Sequence, residues 1–331
     1  MSGAVPGPPG AAGNGGVPGS AIAAPGSGAP GRAGVSGHIG EEGYRALLDI
    51  RARFPGRIAE AAAVRRRRGL LEERDRILVI AADHPARGAL GVGDRPMAME
   101  SRAGLLDRLT TALARPGVDG LLATPDIVED LLLLGALEGK LVIGSMNRGG
   151  VQGSAFEFDD RFTAYDTASI VRMGLDGGKM LCRIGLDDPV TAATLESCAR
   201  AITELASHGL VAMIEPFWSR RAGGTVVHDL SAEGVIRSIH VGQGLGATSA
   251  HTWLKIPVVD DMERVMRATT LPTLLLGGDP GDAPQRAYTA WREALRLPGV
   301  RGLVVGRALL YPSDDDVAAA VDTAVAMLEV A

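Results

Sequence analysis

From Arg76 onward, short apolar runs alternate with longer stretches of helical periodicity. The apolar runs cover residues 77–83, 120–124, 141–146, 178–183, 210–216, 253–259, 273–277 and 302–306, and each ends in glycine, proline or a short polar turn. Segments 105–113, 127–137, 192–207, 232–239, 262–268, 287–295 and 317–328 place apolar residues at helical spacing. Strand–helix units of this number over roughly 255 residues predict a (β/α)8 TIM barrel, which typically takes ~250 residues. A doubly wound sheet would carry a glycine-rich dinucleotide loop after its first strand. Here the first strand leads into Asp83-His84-Pro85.

Two segments precede the barrel. Residues 1–37 are dominated by Gly, Pro, Ala and Ser. They offer too little apolar surface to offset ordering entropy, so a disordered tail is expected there. Residues 41–68 are expected to be helical, with Tyr44, Leu47, Leu48 and Ile58 supplying the apolar positions. Residues 38–331 thus form one barrel domain with an N-terminal helical extension.

Composition narrows the function. A hydrophobic fraction of 46% suffices for a large core, and a net charge of −5 argues against a nucleic-acid partner. The basic run Arg65-Arg66-Arg67-Arg68 reads as a solvated helix end. Cys182 and Cys198 make neither a disulfide framework nor a metal-ligand spacing. No run reaches the roughly 18 apolar residues of a membrane span, and no charged-then-apolar leader opens the chain. A cytoplasmic protein without a membrane partner is expected. An even-numbered homo-oligomer is the expected assembly.

The chemistry is carried by lysine. Of 34 lysines and arginines, only Lys140, Lys179 and Lys255 are lysine. Lys179 and Lys255 sit inside apolar strand-like runs. Arginine cannot supply a neutral amine, whereas a desolvated lysine can form a Schiff base. Side chains alternate along a strand. Lys255 therefore shares a face with Trp253 and Pro257, Lys179 with Leu181 and Arg183, and Glu215 with Val211 and Met213. On neighbouring strands, Lys179, Glu215 and Lys255 converge at the barrel mouth, where TIM barrels hold their active sites. Lys179, charged and close, would repel a proton from Lys255. Lys255 would attack a ketone, Glu215 would shuttle protons, and Asp83 would take the proton of the substrate hydroxyl. The competing reading is a buried Lys179–Glu215 ion pair with Lys255 reaching for solvent. Lys140, before the third strand, is expected to be solvated.

Other strand ends supply binding groups: His84 and Arg87 after the first, Asn147 and Arg148 after the third. Gly277-Gly278 after the seventh and Gly306-Arg307 after the eighth suit a phosphate, held by backbone N–H groups and a guanidinium.

These residues resemble the class I, Schiff-base aldolase group of TIM barrels, which includes the tagatose-bisphosphate, archaeal fructose-bisphosphate and deoxyribose-phosphate enzymes. The likeness runs from about Ile77 to Tyr311. Asp83 lies where that group's first strand carries its catalytic aspartate, although Asp-His-Pro replaces the tagatose branch's Asp-Gln-Arg. Lys179 and Glu215 match that branch's fourth- and fifth-strand residues. Trp-Leu-Lys255-Ile-Pro-Val resembles the segment bearing the Schiff-base lysine. The chain is still more similar to an actinobacterial aldolase-like family linked with myo-inositol catabolism. That resemblance implies cleavage of 2-deoxy-5-keto-gluconate 6-phosphate to dihydroxyacetone phosphate and malonate semialdehyde. No cofactor or metal is implied. The segment Trp218-Ser219-Arg220-Arg221 reads as an extended loop able to contact a second anionic group.

Three alternatives compete. A metal-dependent aldolase would need histidine ligands, and His38, His84, His208, His228, His240 and His251 lack metal spacing. A transaldol or acyl transferase can use the same lysine scaffold. A non-catalytic sugar-phosphate-binding barrel would bind ligand without forming an adduct.

Overall fold

Strands β1 (Ile77–Ala82), β2 (Gly120–Ala123), β3 (Leu141–Ser145), β4 (Gly177–Ile184) and β5 (Val211–Ala222) follow one another along the chain. They are followed by β6 (Thr225–His228), β7 (Thr252–Pro257), β8 (Thr273–Leu276) and β9 (Val300–Val305). All except β6 pair in parallel, and the β1–β9 and β4–β5 ladders close them into an eight-stranded barrel. The fold is therefore the TIM barrel that the strand–helix alternation predicts. It is seen in a computed structural model that describes residues 1, 3, 38–72, 74–148, 150–278 and 284–330. The expected disordered tail, residues 1–37, lies almost wholly outside the described residues.

The period-two pattern sorts side chains into two cores. Ile77, Val79 and Ala81 of β1 point into the barrel with Leu141, Ile143, Val211, Met213 and Trp253. Leu78, Ile80, Met180, Cys182, Leu254 and Ile256 point outward into the layer under the helices. Those helices are α1 (Gly40–Arg53), α2 (Arg57–Val64), α3 (Arg102–Ala114), α4 (Pro125–Leu133), α5 (Thr167–Arg172) and α6 (Thr191–Ser207). After them come α7 (Ala232–Gln243), α8 (Met262–Met266), α9 (Pro284–Leu295), α10 (Arg307–Leu310) and α11 (Val317–Val330).

Three sequence expectations are corrected where the N-terminal extension meets the strand starts. Segment 41–68 is not one helix: α1 stops before Pro55, whose ring disfavours helical backbone in the residue before it. The chain leaves α2 extended at Arg65, and only Arg66 and Arg67 of the run are exposed, so the run is not simply a solvated helix end. Arg65 is buried, donating to the carbonyls of Lys140 and Gly174 at 2.7 Å each and to Asp176 at 3.3 Å. Arg67 reaches the same carboxylate at 2.9 Å, and Arg68 pairs with Asp119. Asp176 in turn accepts the Val142 N–H, and Asp119 the Leu78 N–H, each at 2.8 Å. Two buried carboxylates ahead of β4 and β2 thus bind strand backbone on one side and the arginine run on the other. Leu70 and Leu71 then cap the inner core. Lys140 is held here too, donating to the Val118 carbonyl at 2.6 Å rather than standing in solvent.

Segment 218–221 is not a loop. β5 continues through it and turns back as β6, pairing Ser219 with His228 and Ala222 with Thr225. The turn residues Gly223 and Gly224 have φ of 59° and 84°, as a two-residue type I′ hairpin requires.

Candidate active site

Inward parity carries Lys179, Glu215 and Lys255 to the mouth on adjacent strands β4, β5 and β7. One carboxylate serves both amines: Glu215 Oε1 contacts Lys255 Nζ, and Oε2 contacts Lys179 Nζ. Lys179 Nζ also lies 3.4 Å from Asp83 Oδ2. Asp83 Oδ2 further accepts from Ser145 Oγ at 3.1 Å and pairs with Arg148 Nη2. Asp83 Oδ1 has no hydrogen-bond partner among the described residues and faces His84 Nδ1 at 3.7 Å.

Burial and charge set the ionisation here. Burial alone would raise the Asp83 carboxyl, but Arg148 and Lys179 more than compensate and hold it well below the usual range. Glu215 is likewise ionised, its burial outweighed by Lys179 and Lys255. Burial, reinforced by Arg148, brings the Lys179 amine down to about 8. Burial also holds His84 at about 3, hence neutral at pH 7.

A cavity of about 620 Å³ opens above this cluster. Lys255 and Glu215 line it, as do His84, Arg148, Gly277, Gly278, Gly306 and Arg307. Lys179 and Asp83 do not; their side chains are 0% and 1% exposed and lie beneath its wall. The two strand lysines therefore differ in access. A ligand in the cavity meets Lys255, while Lys179 is packed between Asp83 and Glu215.

The ends of β8 and β9 are built by close approach. A Cβ on Gly306 would lie 2.3 Å from the Ala81 carbonyl oxygen, so only glycine lets β9 turn into α10 against β1. Gly278 has φ of +65°, which also favours glycine. Arg307 begins α10.

Several residues around the mouth were not singled out from sequence. Ser145 shares the inward face of Leu141 and Ile143, so strand parity alone could have found it. Glu157 and Asp160, on the long segment after β3, form a buried network with Arg183, which donates to Asp160 at 2.8 and 2.6 Å. No local periodicity marks them. Asn147, expected from its strand end to be a binding group, is structural instead: its amide bonds the Leu181 backbone at 2.6 and 2.7 Å. His228 stacks on Phe217 with centroids 4.3 Å apart and reaches Ser219 Oγ at 2.9 Å.

The Trp218–Arg221 segment, expected to contact a second anionic group, does not line this cavity. Trp218, Arg220 and Arg221 line a different hollow of about 680 Å³, outside the hairpin. Arg221 is paired there with Asp188 at 2.7 Å. Among the described residues no cluster of three or more His, Cys, Asp or Glu is arranged to hold a metal ion. No described helix is long and apolar enough to cross a membrane.

The fold is a TIM barrel, similar in architecture to solved Schiff-base aldolases. An enzyme described as a Schiff base forming fructose-1,6-bisphosphate aldolase matches with a TM-score of 0.59 at 19% identity, covering 82% of this chain and 99% of that one. An archaeal fructose-1,6-bisphosphate aldolase, with its catalytic lysine covalently bound to a carbinolamine intermediate, matches at 0.58 and 17% identity, over 82% and 98%. At such identities the likeness is one of fold. The chain itself belongs to the Cgl0159-like family, whose pattern matches residues 75–325. The crystal structure of Cgl0159 from Corynebacterium glutamicum is similar over 88% of this chain and 98% of that one, with 53% identity and a TM-score of 0.85. No curated protein matches the sequence.

Proposed function

We propose that this protein is a class I aldolase that cleaves a phosphorylated keto sugar or keto acid through a Schiff base on Lys255. The observation that carries the reading is the pair of strand lysines sharing Glu215, with only Lys255 on the cavity wall. Unprotonated Lys255 attacks the substrate ketone to give a carbinolamine. Glu215, in contact with the amine, moves the protons that let water leave as the iminium forms. The carbon–carbon bond then breaks. Its electrons pass to the iminium to form an enamine, and the proton of the neighbouring hydroxyl passes toward the buried Asp83 through His84, which lines the cavity and faces that carboxylate. Gly277, Gly278, Gly306 and Arg307, which line the cavity, hold the phosphate.

Lys179 serves a different end in this account. Its charge keeps Asp83 and Glu215 ionised and in place. The first substrate to try is 2-deoxy-5-keto-gluconate 6-phosphate. Release of dihydroxyacetone phosphate, followed by NADH oxidation with glycerol-3-phosphate dehydrogenase, is the expected outcome. Binding without release by the wild-type protein, across phosphorylated keto acids and keto sugars, would instead favour a sugar-phosphate-binding barrel.

A further inference from the structure

The cavity carries further cations beyond Arg307, on the turns after β1 and β3. Arg87, on the turn after β1, and Arg148, after β3, both line it. Their side chains are 15% and 5% exposed. Arg183 lies nearby, donating to Asp160 and the Glu157 carbonyl, but it is fully buried and does not line the cavity. Arg87 and Arg148 do. Arg87 approaches Glu157 Oε1 only to 3.4 Å, while Glu157 Oε2 accepts the Gly153 N–H at 3.1 Å. Arg148 gives Nη2 to Asp83. The Nε of each arginine is buried without a hydrogen-bond partner among the described residues. A guanidinium carries five N–H donors in a fixed fork. Unpartnered donors cost free energy, and the accessible edge of each cavity-lining guanidinium is where an anion would meet the fork.

We propose that Arg87 and Arg148 form a carboxylate subsite, so that the substrate is a phosphorylated keto acid. Its phosphate lies at Gly277, Gly278 and Arg307, and its carboxylate lies on the two arginines. This deepens the aldolase reading of the same cavity and rests on it. Two considerations set the class of anion. The planar guanidinium fork matches a planar carboxylate, two bonds at a time. Moreover, Arg87, Arg148 and Arg183 already face Asp83, Glu157 and Asp160. With charges so matched, a monoanion adds less uncompensated charge than a second phosphate dianion. His84 sits within the fields of both Arg148 and Arg307 and is neutral, so it adds no cation to either. Repulsion among the arginines is real: burial, then Arg183 and Arg148, lower the Arg87 guanidinium to about 10, still charged at neutral pH.

Calorimetric titration of the full chain with 6-phosphogluconate, sorbitol 6-phosphate and fructose 1,6-bisphosphate tests the subsite. The first two differ only in a carboxylate against a hydroxymethyl group at the end far from the phosphate. The expected result is that 6-phosphogluconate binds at least about tenfold more tightly than sorbitol 6-phosphate, and more tightly than the bisphosphate. Arg87→Gln removes that advantage while sorbitol 6-phosphate binds as before, which also shows the variant to be folded. Arg87→Lys, keeping charge but losing the fork, retains only part of it. Equal affinity for the first two ligands, tighter binding of the bisphosphate, or an advantage that survives Arg87→Gln overturns the subsite and leaves the aldolase reading standing. Failure of all three to bind overturns the phosphate assignment and the subsite with it.

Discussion

Lys179 is the most constrained side chain of the site. It is fully buried between two carboxylates, and nothing in the cavity can reach it without displacing Asp83 or Glu215. Lys179→Met should therefore leave two buried anions short of a cation and lower unfolding free energy by about 3–5 kcal/mol, read from urea denaturation. A change of under about 1 kcal/mol would mean that the two carboxylates are held by other groups. The residue scale is also where the sequence was most legible. Lysine is rare in an arginine-rich chain, and strand parity turns Lys179, Glu215 and Lys255 to one side. Parity likewise places Asp83 inward with Ile77, Val79 and Ala81. What parity does not reveal is depth. Asp83 lies below the cavity wall because Arg148, Ser145 and Lys179 converge on its Oδ2, and those contacts cross three strands.

Among the elements, the arginine run beneath the barrel was misread because its partners, Asp119 and Asp176, are about 50 and 110 residues away in sequence; no local pattern links them. It acts as a strap across the strand starts. Arg65→Ala should strip a buried cation from Asp176 and leave the Lys140 and Gly174 carbonyls without their donor, costing about 3 kcal/mol. The thermal midpoint should fall, while the borohydride adduct of the folded protein at 25 °C forms in unchanged yield. An unaltered midpoint would show that the strap carries no stability. The β5–β6 hairpin was, by contrast, written in the sequence: Gly223-Gly224 between β-prone residues is a type I′ signal. It was passed over because a TIM barrel's strand–loop–helix rhythm does not call for a hairpin there. The short α5 carries a comparable mark, the Asp166–Ser169 capping box.

For the molecule as a whole, the alternation of apolar runs and helical segments was enough to specify the barrel, since closure, handedness and the position of the site follow from the architecture. Stability should depend on pH through the buried groups of the mouth. Burial holds folded His84 at about 3 and His228 at about 4. In the unfolded chain both titrate near ~6.5. Between those values the unfolded state binds more protons, so stability rises with pH from about 3 to 6.5. Asp83 and Glu215 act in the same direction: their depressed folded values contribute stability above the ordinary carboxylate range, lost as pH falls through the folded values. Urea midpoints should therefore climb from pH 4 to 6.5; a flat profile would contradict this electrostatic picture. The central claim is covalent chemistry at Lys255. Borohydride reduction in the presence of dihydroxyacetone phosphate, followed by peptide mass mapping, tests it most directly. One reduced adduct is expected, on the peptide carrying Lys255, and none in Lys255→Arg, where charge is kept and the nucleophile lost. An adduct on Lys179, or none while the ketone demonstrably binds, would contradict it.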